Sequence, residues 1–225
     1  MLTSIRATCF FASSFTLHSF TFPLTMPIPP WLQPLVWTDY RLAVLLTVLV
    51  PLVLLIWAAV QKAEVLQKIL LIYWRVASLL AITVYLLIGA LPIGFVAGWL
   101  ARLLIPVSLW FWADLNEEIA EQPQSPLKLA FTSWRWAISI FCGLGVLGQL
   151  PLLRCAFLQQ DALVKDPVCR LWLEPPWAFK ALFHANTYPW FLSFIGIAGL
   201  AIYVLYLAYF VLIRLGKQGR SATGQ

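Results

Sequence analysis

The chain has 225 residues, of which 62% are apolar and 11% charged, with a formal net charge of +6 and a mean hydropathy of +0.86. A soluble domain carries roughly a quarter charged residues and about half apolar ones, so this composition excludes a soluble globular domain. Backbone polar groups in lipid must pair within helices or closed barrels, and the apolar runs lack the alternation of barrel strands. The composition therefore predicts an all-α, polytopic helical membrane protein.

Residues 1–25 differ from the rest of the chain, with many Phe, Ser and Thr, one Arg and no acidic residue. They fit a poor signal peptide, a transit-like leader or an upstream extension that precedes the natural start. We favour the extension, because Met26 opens a proline-rich arm over 26–40 that leads into the first span. Polyproline geometry in this arm would hold Trp31 and Trp37 near the membrane interface.

Five segments of a helical membrane domain over 41–215 are long and apolar enough to cross a bilayer, which takes about 20 residues per helix. They cover residues 42–60, 69–88, 95–112, 134–153 and 190–213, and a basic tail over 216–225 follows. Tryptophan favours the headgroup level, and several tryptophans fall within a few residues of these ends. They are Trp37, Trp57, Trp74, Trp110, Trp112, Trp134, Trp136 and Trp190.

A short segment from Gly89 to Gly94 is all that separates the second span from the third. Pro92 removes a backbone donor there, and the glycines permit a sharp reversal. The segment predicts a tight helical hairpin. The alternative is four spans with a re-entrant half-helix.

Lys and Arg residues indicate the orientation, because cytoplasmic loops carry more of them. With five spans, one side receives Lys62, Lys68, Arg75, Lys128, Arg135, Arg214, Lys217 and Arg220, and the other receives Arg6, Arg41, Arg154, Lys165, Arg170 and Lys180. The larger set includes the short first loop and the tail, so we expect the N-terminus outside and the C-terminus in the cytoplasm. The net positive charge fits a tail resting on anionic membrane lipids. No basic, aromatic-interleaved stripe indicates nucleic acid.

Two stretches carry a resemblance to a known family. PLVWTDYRLAVLLTVLVPLVLLIWA (34–58) and ILLIYWRVASLLAITVYLLIGALPIGF (69–95) resemble a family of uncharacterised cyanobacterial membrane proteins, classed only as a domain of unknown function. The resemblance implies a thylakoid or plasma membrane setting. It brings no catalytic residues.

Familiar catalytic and cofactor motifs are absent from the sequence. Neither His18 nor His184 lies in a predicted span, so histidine-ligated haem or pigment is not expected there. The zinc motif HExxH, the Glu-x-x-His pairs of di-iron bundles and a glycine-rich phosphate loop are missing too. Glu117 and Glu121 would share one helix face, but such a run is more often a solvated linker than a metal site. We expect no cofactor, no metal and no catalytic residue, and we favour a non-enzymatic protein.

Arg102 is the most conspicuous single residue because it lies inside the third predicted span. A guanidinium in the middle of a span costs about 2.5 to 3.5 kcal/mol on insertion scales, so it should face the protein interior or a wet cavity. One hypothesis is a ligand for an anion, a lipid headgroup or a quinone carbonyl. The other, which we favour, is a residue that snorkels or pairs within the bundle, with Asp39, Asp114 or a carbonyl above Pro106.

Cys155 and Cys169 share a predicted external loop over 154–189, where an oxidising environment would allow a disulfide. The bond would close a loop worth about 3 kcal/mol in the chain-entropy model. Thiol exchange enzymes usually use Cys-x-x-Cys, which is absent, so we favour a structural bond over a redox pair. Two unpaired cysteines are a third alternative. Cys142 lies in the fourth span, where we expect a small packing residue.

Small residues recur at helical spacings in the last three spans. They are Gly94, Gly98, Gly145, Gly148, Ser193, Gly196 and Gly199. Such residues let helix backbones approach closely, so we interpret them as packing within the bundle first and as a docking surface second. Tyr203 and Tyr206 lie nearly on one face of the fifth span, where helix packing is favoured over contact with a carotenoid or a lipid.

Two functional classes remain after these observations. The first is a non-enzymatic scaffold or assembly factor whose partners are membrane lipids and other membrane proteins. The packing residues, the external loop and the lack of catalytic groups favour it. The alternative is a small transporter or channel, for which Arg102 and the hinge from Gly89 to Gly94 are the support.

Overall fold

The structure is a computed structural model that describes residues 29–215. The predicted leader over 1–25, the start at Met26 and the basic tail over 216–225 lie outside the described residues. Within the described range five helices are long and apolar enough to cross a membrane, and no strand occurs. The predicted all-α class with five spans is therefore confirmed.

The five long helices are α1 (Leu32–Val60), α2 (Glu64–Ile88), α3 (Ile93–Trp110), α5 (Pro126–Gln149) and α8 (Pro189–Tyr209), and the shorter ones are α4 (Ala113–Glu121), α6 (Gln160–Lys165) and α7 (Pro167–Phe183). A 3₁₀ stretch, Leu150–Phe157, continues α5, and a π-helical stretch, Phe210–Leu215, continues α8. The central helix is α2, which packs against α1, α3 and α8, while α5 packs against the other side of α3.

The first helix begins ten residues earlier than the predicted span. Trp37 lies inside α1 and Trp31 immediately before it, so residues 32–40 of the predicted proline-rich arm are helical and do not have polyproline geometry. Pro34 does not prevent this start, because it lies in the first turn, where backbone N–H groups have no helical acceptor. The polar residues between Trp37 and Leu42 lowered the local hydropathy and hid the start.

The fourth span also begins earlier than predicted, at Pro126. Ser125 caps it, since its Oγ accepts the Lys128 N–H at 3.1 Å, and Pro126 follows in the first helical position, where proline is favoured. Trp134 is therefore not at a helix end. It is 4% exposed in the core, and its predicted place in the interfacial belt is wrong.

The turn between α2 and α3 marks one end of the bundle, which we call the hairpin end. Ala90 has a positive φ of 51° in this turn, and the N–H of Leu91 donates to Leu86 O at 3.1 Å, so the chain reverses within a few residues. The 18 residues of α3 are long and apolar enough to cross a membrane. These features are those of a helical hairpin of two spans.

The segment predicted as an external loop over 154–189 is mostly helical. It contains α6 and α7, which form a cap over the hairpin end. Gln160 Nε2 donates to Gly89 O at 2.6 Å, and Trp177 Nε1 donates to Ile88 O at 3.2 Å. The last carbonyls of a helix have no N–H donor within that helix. The cap supplies side-chain donors to two carbonyls at the end of α2.

The opposite end of the bundle, where α8 reaches Leu215, is called the tail end. Helix α4 lies there and buries Leu115 and Ile119 against the main core. Lys128 Nζ donates to Ala120 O at 2.9 Å and also to Gln122 O. A cation is favoured at this position, because the last carbonyls of a helix carry partial negative charge.

Candidate functional site

The interior of the bundle contains an ion pair between α1 and α3. Both terminal nitrogens of the Arg102 guanidinium donate to the Asp39 carboxylate, Nη1 to Oδ1 at 3.0 Å and Nη2 to Oδ2. The side chains are 8% and 18% exposed, respectively. Arg102 lies nine residues into α3, about 13 Å from the hairpin end at 1.5 Å per residue. The pair is therefore bidentate and lies well inside the bundle.

A third helix, α5, completes the surroundings of this pair. Gly145 faces the guanidinium so closely that a Cβ atom at this position would overlap Arg102 Nη1. The Arg102 Cζ lies 5.3 Å from the centroid of the Phe141 ring, within the range of a cation–π contact. Gly145 therefore leaves the space that the Arg102 head occupies between α3 and α5.

The pair gives each charge a partner in a place where an isolated charge would be costly. Of the partners considered from sequence, Asp39 is the one that bonds Arg102. A neutralised, bidentate pair joins two helices and leaves little charge to attract a solute. The geometry favours a structural pair over a ligand-binding arginine.

Arg135 lies inside α5, although its sequence position suggested a flanking charge. Its guanidinium stacks on Trp110, with Cζ 3.8 Å from the ring centroid, and Nη1 donates to Asn116 Oδ1. Residue Arg135 is 9% exposed. It holds α3, α4 and α5 together at the tail end, which sequence reasoning missed because its partners are far away along the chain.

Arg75 was also counted as a flanking charge, and the structure instead places it eleven residues into α2. It is exposed on the outside of the bundle, and its Nη1 lies 3.5 Å from the Tyr206 hydroxyl of α8. Tyr206 therefore faces the guanidinium, whereas Tyr203, one turn away, is buried against α2 and α3 residues. The predicted margin of eight positive charges to six thus includes Arg75 and Arg135, which lie at least nine residues from the start of their membrane-spanning helices.

Cys155 and Cys169 form a disulfide in the cap, which joins the 3₁₀ stretch after α5 to the start of α7. Asp166 caps the same helix, because its Oδ1 accepts the N–H groups of Val168 and Cys169, each at 2.9 Å. Cys142 is a free, fully buried thiol of the main core. The disulfide and the helix cap together fix the start of α7.

The small residues serve different contacts. Those of α3 and α8 face α2: a Cβ at Gly94 would lie 2.7 Å from Leu87 Cδ2, at Gly98 3.1 Å from Thr83 Cγ2, at Gly196 3.0 Å from Leu86 N and at Gly199 3.3 Å from Ile82 Cγ1. Ser193 is buried, and a Cβ at Gly89 would overlap its side chain. By contrast, a Cβ at Gly148 would meet no heavy atom within 4 Å, and the same holds for Gly143. The glycines at 143 and 148 thus face away from the described bundle.

The acidic run has no ligand-like arrangement. Glu117 and Glu121 are exposed on α4. In the described part of the chain no group of three or more His, Cys, Asp or Glu residues could hold a metal ion. His184 lies in the cap, with Nε2 3.2 Å from the Tyr85 hydroxyl, while His18 is outside the described residues.

Most of the chain matches a known family. The model of that family, described as a protein of unknown function (DUF3177), matches residues 33–223. No curated protein and no solved structure matches the chain.

Proposed function

Because the chain belongs to the DUF3177 family, to which no activity is assigned, we propose a function from the structure: a non-enzymatic scaffold or assembly partner of other membrane proteins. The observation that carries the proposal is the outward face of α5. Gly143 and Gly148 flank the exposed side chains of Leu144 and Leu147 on this face. Ile140 extends the same apolar stripe by one turn.

A second helix could approach this face closely. Lipid tails are as apolar as leucine, so helices in a membrane associate through close packing rather than through a hydrophobic drive. A glycine beside an exposed leucine leaves space for such packing, and no described residue of the chain fills the space at Gly143 or at Gly148. The space beside Gly145, on the same helix, is already filled by the Arg102 side chain. One side of α5 is therefore used within the bundle, and the other is available to a partner.

The alternative function, a small transporter or channel, has weaker support. Its two sequence features were Arg102 and the hinge from Gly89 to Gly94. Arg102 is neutralised by Asp39, and the hinge region is closely packed, because side chains of Ser193 and Leu87 occupy the space beside its glycines. Loss of a specific solute flux on deletion of the protein would nevertheless favour this alternative.

The membrane orientation belongs to the same proposal. We place the hairpin end on the non-cytoplasmic side, with the N-terminus outside and the C-terminus in the cytoplasm. The disulfide at the hairpin end supports this orientation, since disulfides persist in oxidising compartments. Lys62, Lys68 and Lys128 at the tail end also support it, because cytoplasmic loops carry more Lys and Arg. The resemblance to cyanobacterial proteins suggests a thylakoid or plasma membrane. A reporter fused after Gln225 that proved non-cytoplasmic would reject the orientation.

Native gel electrophoresis of solubilised membranes tests the scaffold proposal. We expect the wild-type protein to migrate in a larger complex, and a Gly143→Leu/Gly148→Leu variant to leave it because the added side chains block close approach. The control is Ala208→Leu, which adds a leucine to an exposed position of α8 and should leave the complex intact. Wild-type protein that migrates as a lone monomer would contradict the proposal.

A further inference from the structure

Arg75 lies at a depth where an exposed charge needs a partner. It is eleven residues from the start of α2 and thirteen from its end, or about 16 Å and about 20 Å at 1.5 Å per residue. It faces outward, and in the described part of the chain it forms no ion pair. Its side-chain contact is the neutral Tyr206 hydroxyl. A guanidinium in this position is costly in hydrocarbon unless an anion or water reaches it.

A groove between α2 and α8 begins at this residue. Its volume is about 630 Å³. The polar part, near the tail end, consists of Arg75, Ser78 and Tyr206, and the apolar part includes Ile82 and Ile202. Gly199 has no side chain, so it leaves the apolar part of the groove open. The groove therefore has a charged, hydroxyl-lined end and an apolar end.

The charged and apolar parts follow each other along the helices in the same order as the headgroup and acyl chain of a lipid whose headgroup faces the tail end. Ile82 is seven residues beyond Arg75 on α2, which places it about 10 Å closer to the hairpin end. The apolar part thus extends past the middle of α2, and the charged part lies on the tail-end side of the middle. A long arginine side chain can reach toward the tail end, where a lipid headgroup would meet it.

We propose that this groove binds one anionic lipid, with the headgroup phosphate on Arg75 and an acyl chain along Ile82 and Ile202. A guanidinium binds phosphate oxygens through two parallel hydrogen bonds. The hydroxyl of Tyr206 is a further donor beside it. An acidic side chain of a partner protein would neutralise Arg75 too, but it would leave the apolar part of the groove unfilled. The shape of the groove therefore selects the lipid.

Native mass spectrometry of the purified protein tests this assignment, with phosphatidylglycerol and phosphatidylcholine added separately. Wild-type protein should retain one phosphatidylglycerol at about tenfold lower lipid concentration than phosphatidylcholine, because the quaternary ammonium of phosphatidylcholine offsets the charge of its own phosphate beside Arg75, whereas phosphatidylglycerol keeps a net negative charge. Arg75→Gln should abolish the preference, and Arg75→Lys should retain part of it. Lys68→Gln is the matched control, because it removes an equal charge from an exposed position two turns away on α2. It should behave like wild type.

A second variant tests the apolar part of the groove. Ile202 is 69% exposed, so Ile202→Trp should fold and fill the groove, lowering retention of both lipids. Equal retention of phosphatidylglycerol by wild type and Arg75→Gln would overturn the proposal. It would also be overturned if Arg75→Gln left lipid retention intact but released a co-purifying membrane protein, which would assign the site to an acidic partner segment.

Discussion

Arg102 shows how a buried charge is made tolerable in this bundle. Its two hydrogen bonds to Asp39 neutralise it, and Gly145 provides the space for its head group. A pair of this kind need not add to stability, because removing two charges from water is costly and their attraction only offsets that cost. Loss of one member leaves the other charge buried without its counter-ion, and that state is the unstable one.

Single and double substitutions of the pair should therefore differ in their effect on stability. Arg102→Met and Asp39→Leu should each lower the free energy of unfolding by about 3 to 5 kcal/mol, because each leaves an uncompensated charge. The double variant should be about as stable as the wild type, because it leaves neither charge. Denaturant titration in detergent micelles measures all three. A double variant as unstable as its less stable parent would show that the pair has a role beyond neutralisation.

Two glycines one turn apart on α5 provide a matched comparison. Gly145→Ala should lower the free energy of unfolding by about 1 to 3 kcal/mol, because the added methyl displaces the Arg102 guanidinium from its place. Gly148→Ala should raise it by about 0.5 to 1 kcal/mol, because alanine is the better helix former and its methyl meets no neighbour. Thermal unfolding in detergent checks both. Equal effects at the two positions would contradict the close contact at Gly145.

At the scale of elements, α1 contains an irregularity with an identifiable cause. The stretch Leu45–Leu49 is π-helical, and the Val50 N–H donates to Leu45 O, five residues back. Pro51 has no N–H, so it can donate neither to Leu46 O, five residues back, nor to Thr47 O, four residues back. Other helices supply the missing donors: Trp134 Nε1 bonds Leu46 O at 2.8 Å, and the Tyr73 hydroxyl bonds Thr47 O at 2.7 Å.

The loss of unfolding free energy on removing the Tyr73 hydroxyl should depend on Pro51. Tyr73→Phe should lower the free energy of unfolding by about 1 to 3 kcal/mol, because it leaves a buried carbonyl without its side-chain donor. In a Pro51→Ala background the cost should be smaller, since the substituted alanine supplies a backbone N–H. Unfolding measurements on Tyr73→Phe, on Pro51→Ala and on the double variant give this coupling. Tyr209→Phe, at an exposed position of α8, is the control for loss of a hydroxyl.

The unequal burial of the five long helices reflects their positions in the bundle. Of the most apolar 18-residue window of each helix, 39% is buried in α2 and α3 but 11% in the last helix. The last helix is fastened mainly along α2, where Gly196 allows contact with the backbone at Leu86. Its remaining surface faces outward. Helix α8 and the outer side of α5 consequently leave most of their apolar surface outside the bundle.

At the scale of the whole molecule, the cap ties the hairpin end together. Its buried residues form a small core of their own, with Leu163, Leu173 and the disulfide packed near Phe95 of α3. The cap also bonds the last carbonyls of α2. Residues 29–215 therefore form a membrane bundle and a folded cap, which meet at the hairpin end.

Loss of the disulfide should loosen the cap and leave the bundle folded. Replacing Cys155 and Cys169 with Ser should speed hydrogen exchange in α6 and α7 but not in α2, because closing a loop of this length is worth about 3 kcal/mol. Reduction of wild-type protein should have the same effect. Cys142→Ala should not change electrophoretic mobility under non-reducing conditions, since that thiol is free. Uniform acceleration across all helices would contradict a separable cap.

Hydropathy predicted the spans well where polar residues are few and poorly where they have distant partners. The start of α5 was missed because Lys128 lowers the local hydropathy as if its charge had to be exposed. In the folded chain Lys128 bonds the end of α4, and Arg135 stacks on Trp110. A scale that sums single residues cannot include contacts made by residues that lie elsewhere in the sequence.

The sequence by itself determined the helical class and the number of spans, because both depend on the transfer of each residue into lipid, which is a local sum. Tertiary structure alone decided the partners. Arg102 and Asp39 are 63 residues apart, and Arg75 and Tyr206 are 131 apart. These contacts follow from the way in which α1, α5 and α8 pack around the hairpin of α2 and α3, and the spacing of residues along a single helix carries no record of it.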